Sequence, residues 1–121
     1  MKPILVADDD RSMAKTVCDI LRRRGWSPTE VHSGEAAVQA TATRRFAAVL
    51  MDVKMPGMNG VEACQLMHRA HPDMPVILMT AYAAQEILAQ ARRAGVVTIM
   101  PKPIAWPKLI AHLDRISHAP S

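Results

Sequence analysis

The sequence is short of everything that staples or anchors a small protein. Its 121 residues include two cysteines and four aromatic residues: two Trp, one Tyr and one Phe. Cys18 and Cys64 lie within apolar-periodic segments, with no CxxC and no Cys/His cluster. That excludes a disulfide scaffold or structural zinc and reads as two reduced core thiols. With so few rings the core must be aliphatic, drawn from Val, Ile, Leu, Ala and nine Met. No apolar run approaches the length needed to span a bilayer, so no membrane partner is expected. The opening MKPILVADDD has an apolar run too short for a secretory leader, and acids follow at once; a cytoplasmic location is expected. Linkers, repeats and low-complexity segments are missing too. The chain therefore reads as one domain over residues 1–121, large enough for its own core.

The formal net charge of +4 admits a nucleic-acid partner, but the arginine placement argues against direct contact. They occur as RRR at 22–24, RR at 44–45 and RR at 92–93, each near a predicted helix end, where cations complement the helix dipole. No helix-turn-helix or RNA-binding pattern appears, and no aromatics interleave with the basic residues.

What is present is alternation. Four continuous apolar runs, ILVA (4–7), AAVLM (47–51), PVILM (75–79) and VVTIM (96–100), read as strands covered on both faces; WSPTEVH (26–32) is a weaker fifth. Helical periodicity fills the gaps at about 12–24, 34–43, 61–71, 83–94 and 106–118. The first stripe is Ala14, Val17, Cys18, Ile20 and Leu21, and the last is Trp106, Leu109, Ile110, Leu113 and Ile116. Gly25 and Gly95 suit helix stops, and Pro72 stops the third helix. Strict βα alternation predicts an α/β fold: a five-stranded parallel sheet with helices on both faces. Pro28 and Pro101 belong on edge strands, because proline cannot donate to a ladder. Strand order 2-1-3-4-5, the flavodoxin-like order, places both at edges.

In such sheets the ligand crevice lies beyond the carboxyl ends of the strands. Here those ends carry DDD (8–10), Asp52, TAY (80–82) and PKP (101–103). Singly, each has an ordinary structural explanation: Asp10 as a helix N-cap, PGMNG as a turn, Thr80 as a cap of the fourth helix, Lys102 as an exposed cation. Together at one rim they imply more. Asp8, Asp9 and Asp52 would converge within a few ångströms, and carboxylates that close drive one another toward protonation. A divalent cation relieves this, and hard oxygens suit Mg²⁺; Lys102 supplies fixed positive charge. The set is suited to receive a phosphoryl group, with Thr80 and backbone N–H groups as donors.

ILVADDD, MDVKMPGMNG, MTA and KP, at this spacing, resemble the receiver domain of bacterial two-component response regulators over nearly the whole chain. The resemblance implies that Asp52 accepts a phosphoryl group from a sensor histidine kinase or phosphotransfer protein. Asp9 would be the direct Mg²⁺ ligand, Asp8 would act through metal-bound water, and the Lys54 backbone carbonyl would be the third protein ligand. Thr80 would turn toward the phosphate and Lys102 would pair with it, and the Lys102–Pro103 peptide would be cis. Lys54 and Tyr82 stand where the family tunes dephosphorylation. Ile99 departs from the pattern, since the family usually has Tyr or Phe there. The usual aromatic switch then gives way to a smaller inward repacking of Ile99, or to a joint shift of strand 5 and helix 4.

The implied role is a phosphorylation-dependent switch, read on strand 5 and helices 4 and 5 by a downstream protein, a covalently linked output domain or a second copy of the chain. The tail SHAPS suits either a complete single-domain regulator or the N-terminal receiver of a longer protein. Promoting its own phosphorylation and dephosphorylation, it is not expected to turn over an external substrate. Two rivals are a Mg²⁺-dependent aspartyl-nucleophile phosphohydrolase and a receiver-like module that is never phosphorylated. The first needs an acid two residues after Asp52, where Lys54 stands; the second would be marked by loss of an acid, the threonine or the lysine.

Overall fold

In the computed structural model, which describes residues 2–82 and 84–118, strands and helices alternate throughout. They are β1 (Lys2–Ala7), α1 (Arg11–Arg23), β2 (Trp26–Val31), α2 (Gly34–Thr43), β3 (Ala48–Asp52), α3 (Gly60–Ala70), β4 (Val76–Thr80), α4 (Gln85–Arg93), β5 (Thr98–Pro101) and α5 (Trp106–His118). The expected helix start at Ala83 lies outside the described residues, as do the last three residues of the SHAPS tail. All strands pair in parallel in the order β2-β1-β3-β4-β5, so Pro28 and Pro101 fall on the edge strands.

The continuous apolar runs have the expected origin. Every residue of β3 and β4 is buried, as are Ile4 to Ala7 of β1, whereas edge strand β2 is only partly covered beyond Trp26. Side chains alternate across the sheet with period two. Leu5, Val49, Met51, Val76 and Leu78 join α2, α3 and α4 in one apolar layer. Ile4, Val6, Leu50, Ile77 and Met79 join α1 and α5 in the other, through Val17, Leu21, Leu109 and Leu113. Trp106 and Ile116 pack against this second layer, which makes Trp106 a core-facing residue. Ile20 and Ile110, expected in the apolar stripes, are half-exposed and join neither layer.

Helix ends follow local chemistry. Asp10, Ser33 and Asn59 accept the N–H groups of Met13, Ala36 and Glu62 and so cap α1, α2 and α3; Glu62 returns a bond to the Asn59 N–H. Thr80 does not cap α4: the N-cap there is Ala84, which has no side-chain bond. Arg22 and Arg23 close α1, and Arg92 and Arg93 close α4, at the negative ends of those helices. Strand β5 starts at Thr98 rather than 96, because Gly95 turns with φ of +87° and the Val96 N–H still bonds back to Ala91 of α4.

One contact ties the fold to the rim. Gly60, the first residue of α3, donates its N–H to Val53 O at 2.8 Å. A Cβ on Gly60 would strike the Asp52 carbonyl oxygen and come within 3.0 Å of Val53 Cα. Both are backbone atoms and cannot swing aside. Gly60→Ala is therefore expected to lower stability by about 1–3 kcal/mol through overpacking. In urea titrations the midpoint falls while the slope stays constant; an unchanged midpoint would show that α3 can start further from β3.

Candidate functional site

The strand ends assemble as the sequence pattern predicts. The ladder continues one step past the apolar runs, so Asp52 and Thr80 are the last residues of β3 and β4. Val53 N–H donates to Met79 O, and Lys102 N–H donates to Thr80 O, both at 2.8 Å. Ala7 pairs with Met51, so Asp8 and Asp52 stand at the next position of adjacent strands. Both follow, by strand parity, the residues that face the α1/α5 layer.

Asp8 and Asp52 are both buried, while Asp9 and Asp10 are exposed. One oxygen from each of Asp8, Asp9 and Asp52 lies within 4.8 Å of the other two. Lys102 reaches across the sheet to this group. Its Nζ donates to Asp52 Oδ2 at 2.8 Å and to Asp8 Oδ2 at 3.1 Å. Asp8 Oδ1 accepts the Asp10 N–H at 3.0 Å, and Asp52 Oδ1 accepts the Lys54 N–H at 3.3 Å. The Lys102–Pro103 peptide is cis, as the resemblance implies.

The electrostatics differ from expectation in their leading cause. The Asp8 carboxyl is held above the usual carboxylate range, first by burial and only secondarily by the Asp52 charge; the Asp10 N–H and Lys102 pull the other way. For Lys102, burial works against the ammonium. Its hydrogen bonds and charge interactions with Asp52 and Asp8 outweigh burial and hold it above the ordinary lysine value. Burial pushes both thiols, Cys18 and Cys64, up to about 11, which keeps them unreactive at neutral pH.

Of the remaining residues singled out in the sequence, Thr80, Tyr82 and Lys54 stand at the same rim, whereas Ile99 lies within β5, paired with Leu78. Thr80 is buried, and its hydroxyl is occupied locally: it donates to Tyr82 O at 2.8 Å and accepts the Tyr82 N–H at 3.0 Å. Tyr82 is 74% exposed and Lys54 is exposed. Ile99, half-buried, packs against the α2–α4 layer. Sequence reasoning missed Glu35, whose Oε1 accepts the Met58 N–H at 2.9 Å. No local pattern announces a contact between α2 and a loop 23 residues away.

A model of the response regulator receiver domain matches residues 4–114. A response regulator receiver protein of Anaeromyxobacter sp. (strain Fw109-5) is 34% identical over 110 residues, which is 91% of this chain and 46% of that protein. This chain thus spans about half the length of that relative. Among solved structures, a CheY-like response regulator receiver domain protein from Methanospirillum hungatei JF-1 superposes with a TM-score of 0.92 at 25% identity. The match covers 97% of this chain and 94% of the other. The response regulator TrrA of Thermotoga maritima, solved in complex with Mg²⁺-BeF, superposes at 0.86 and 25% identity, over 96% and 99% of the two chains. The family model spans nearly the whole chain, and the chain belongs to the response regulator receiver domain family of two-component signalling.

Proposed function

We propose that Asp52 is the phosphoacceptor of a switch driven by a sensor histidine kinase or phosphotransfer protein. The observation that carries this is the Lys102 ammonium, hydrogen-bonded at once to Asp52 and Asp8 inside an acidic cluster at the strand ends. An Asp52 oxygen attacks the phosphorus of a phosphohistidine. The new O–P bond forms as the N–P bond breaks, and the electron pair of that bond stays with the imidazole nitrogen. Lys102, already hydrogen-bonded to Asp52, neutralises charge on the transferred oxygens. Thr80 reaches a phosphoryl oxygen once its hydroxyl leaves the Tyr82 carbonyl.

The donor set suits Mg²⁺, since three carboxylates offer hard oxygens within 4.8 Å of one another. Asp9 and Asp52 would hold the ion directly, with the Lys54 carbonyl as a third ligand and Asp8 bound through water. When bound, the ion supplies charge neutralisation to the transferring group. Exposed Lys54 and Tyr82 border the entrance and tune hydrolysis of the acyl phosphate. Ile99 repacks within the α2–α4 layer and passes the change to the β5, α4 and α5 face. A downstream protein, a linked output domain or a second copy reads that face. The receiver unit fills residues 1–121 and works in the cytoplasm.

Three measurements test this. With acetyl phosphate and Mg²⁺, the wild-type protein should gain the mass of one phosphoryl group and Asp52→Ala should gain none. Lys102→Ala should slow uptake by about two orders of magnitude, the usual cost of losing one donor to developing charge. Equal labelling of Asp52→Ala would move the acceptor elsewhere.

In thermal melts, Mg²⁺ at ten times its dissociation constant should stabilise the wild type by about 1.4 kcal/mol. Asp9→Asn should lose most of that gain, yet be at least as stable as wild type without metal, because a repelling charge has gone. A full Mg²⁺ response in Asp9→Asn would remove Asp9 from the ligand set.

The lysine makes a signed pH prediction. Its folded-state value is raised above the ordinary 10.5, so the stability it contributes is fully present below 10.5 and is lost as pH rises through the raised value. The stability difference between wild type and Lys102→Met should hold steady from neutral pH and shrink only in the alkaline range. A difference that already declines near neutral pH would contradict the pairing.

A further inference from the structure

The loop between β3 and α3 carries Lys54 and follows Asp52 directly, so its shape bears on the whole site. It is fastened at both ends by its own neighbours. The Lys54 N–H donates to the Asp52 carboxylate, and the Asn59–Glu62 capping box with the Gly60–Val53 bond fixes the start of α3. Between those ends, one bond comes from a distant element. Glu35, in the first turn of α2, accepts the Met58 N–H at 2.9 Å.

Three features make this more than an acid at a helix start. A carboxylate that only complements the α2 dipole needs no partner outside its helix; this one reaches the backbone of another loop. The loop backbone lies close beneath it, since a Cβ on Gly57 would meet Glu35 Oε1 at 3.3 Å and Oε2 at 3.5 Å. Gly57 also has φ of +75°, a turn that brings Met58 round to the helix. The helix itself is seated on the loop, because a Cβ on Gly34 would lie 2.6 Å from Met58 O. Glycines at 34 and 57 thus permit the approach, and a Glu35 carboxylate oxygen accepts the bond that uses it.

We propose that Glu35 is a positioning residue for the receiver site, gripping the β3–α3 loop through Met58 so that the Lys54 backbone is preset for the cation and for a phosphorylated Asp52. This rests on the function proposed above. Groups that orient metal ligands without touching the ion alter affinity through geometry, and their loss is felt about tenfold or more.

Reach and charge can be separated at this position. Glu35→Gln keeps the reach and the acceptor oxygen but removes the charge. Glu35→Asp keeps the charge but shortens the reach. Mg²⁺ affinity by calorimetry, phosphoryl uptake from acetyl phosphate by intact mass, and hydrogen exchange of the Met58 amide by NMR are read on each variant and on Glu35→Ala. The grip predicts that Glu35→Gln stays close to wild type. Glu35→Asp and Glu35→Ala should lose about tenfold in Mg²⁺ affinity and uptake rate, with faster Met58 exchange. If Glu35→Asp behaves as wild type and Glu35→Gln as Glu35→Ala, the charge acts and the grip does not, and the proposal fails. It fails too if Glu35→Ala matches wild type in metal affinity and uptake while the wild type responds normally. Should wild type take neither Mg²⁺ nor phosphoryl, the receiver function proposed above falls, and the positioning role with it. A melt of each variant checks folding; should Glu35→Ala not fold, the Gln and Asp pair decides.

Discussion

A single ammonium group holds the site, and much of the rim depends on it. Asp8 and Asp52 stand side by side at the ends of central strands, out of water, where two carboxylates repel and burial holds the Asp8 carboxyl above its ordinary value. Lys102 Nζ bonds to both and offsets that cost. Take the lysine away and two buried charges lose their partner, the costly way to break such a network. The Lys102 N–H also donates to the Thr80 carbonyl, so the backbone of the lysine is tied to β4 while its side chain is tied to the carboxylates of β1 and β3. Four of the five strands therefore converge on one point.

The loop that leaves Asp52 is short and closely fastened. Asp52 ends a strand with no exposed residue, and the turn that follows must leave β3 and start α3 within seven residues. Gly57 takes the positive φ, Asn59 caps the helix, and Gly60 lets the first turn of α3 lie against the Asp52 carbonyl. Each device restricts the backbone beside the carboxylate. A carboxylate held this way keeps its geometry while the charge around it changes, the kind of preorganisation that electrostatic stabilisation requires.

Thr80 and Ile99 belong to the other face of the sheet. Thr80 follows Val76 and Leu78 in strand parity, toward the layer of α2, α3 and α4, and Ile99 packs against that same layer. Among the described residues, the Thr80 hydroxyl bonds to the backbone of Tyr82 alone. Ile99 is β-branched and stiff about χ1, so it lacks the two-position swing open to an aromatic ring at the same place.

Much of this was legible in the order of residues. Continuous apolar runs gave away strands covered on both faces. The 3.6-residue stripes, with Gly25, Pro72 and Gly95, marked the helices, and Pro28 and Pro101 pointed to the edge strands. Asp8, Asp9, Asp52, Thr80 and Lys102 could be placed on one rim, because every strand of a parallel sheet ends on the same side. These are consequences of local periodicity, chain-breaking residues and one topological rule, all of which a linear pattern carries. The tertiary structure alone decided the rest: that burial outweighs the Asp52 charge in raising Asp8, that the Thr80 hydroxyl is turned to Tyr82, that Ile20 and Ile110 stay out of the core, and that Glu35 holds Met58 across 23 residues. Each depends on which atoms meet once strand register and helix seating are set; Asp8 and Asp52, like Glu35 and Met58, are too far apart in sequence for a local pattern to join them.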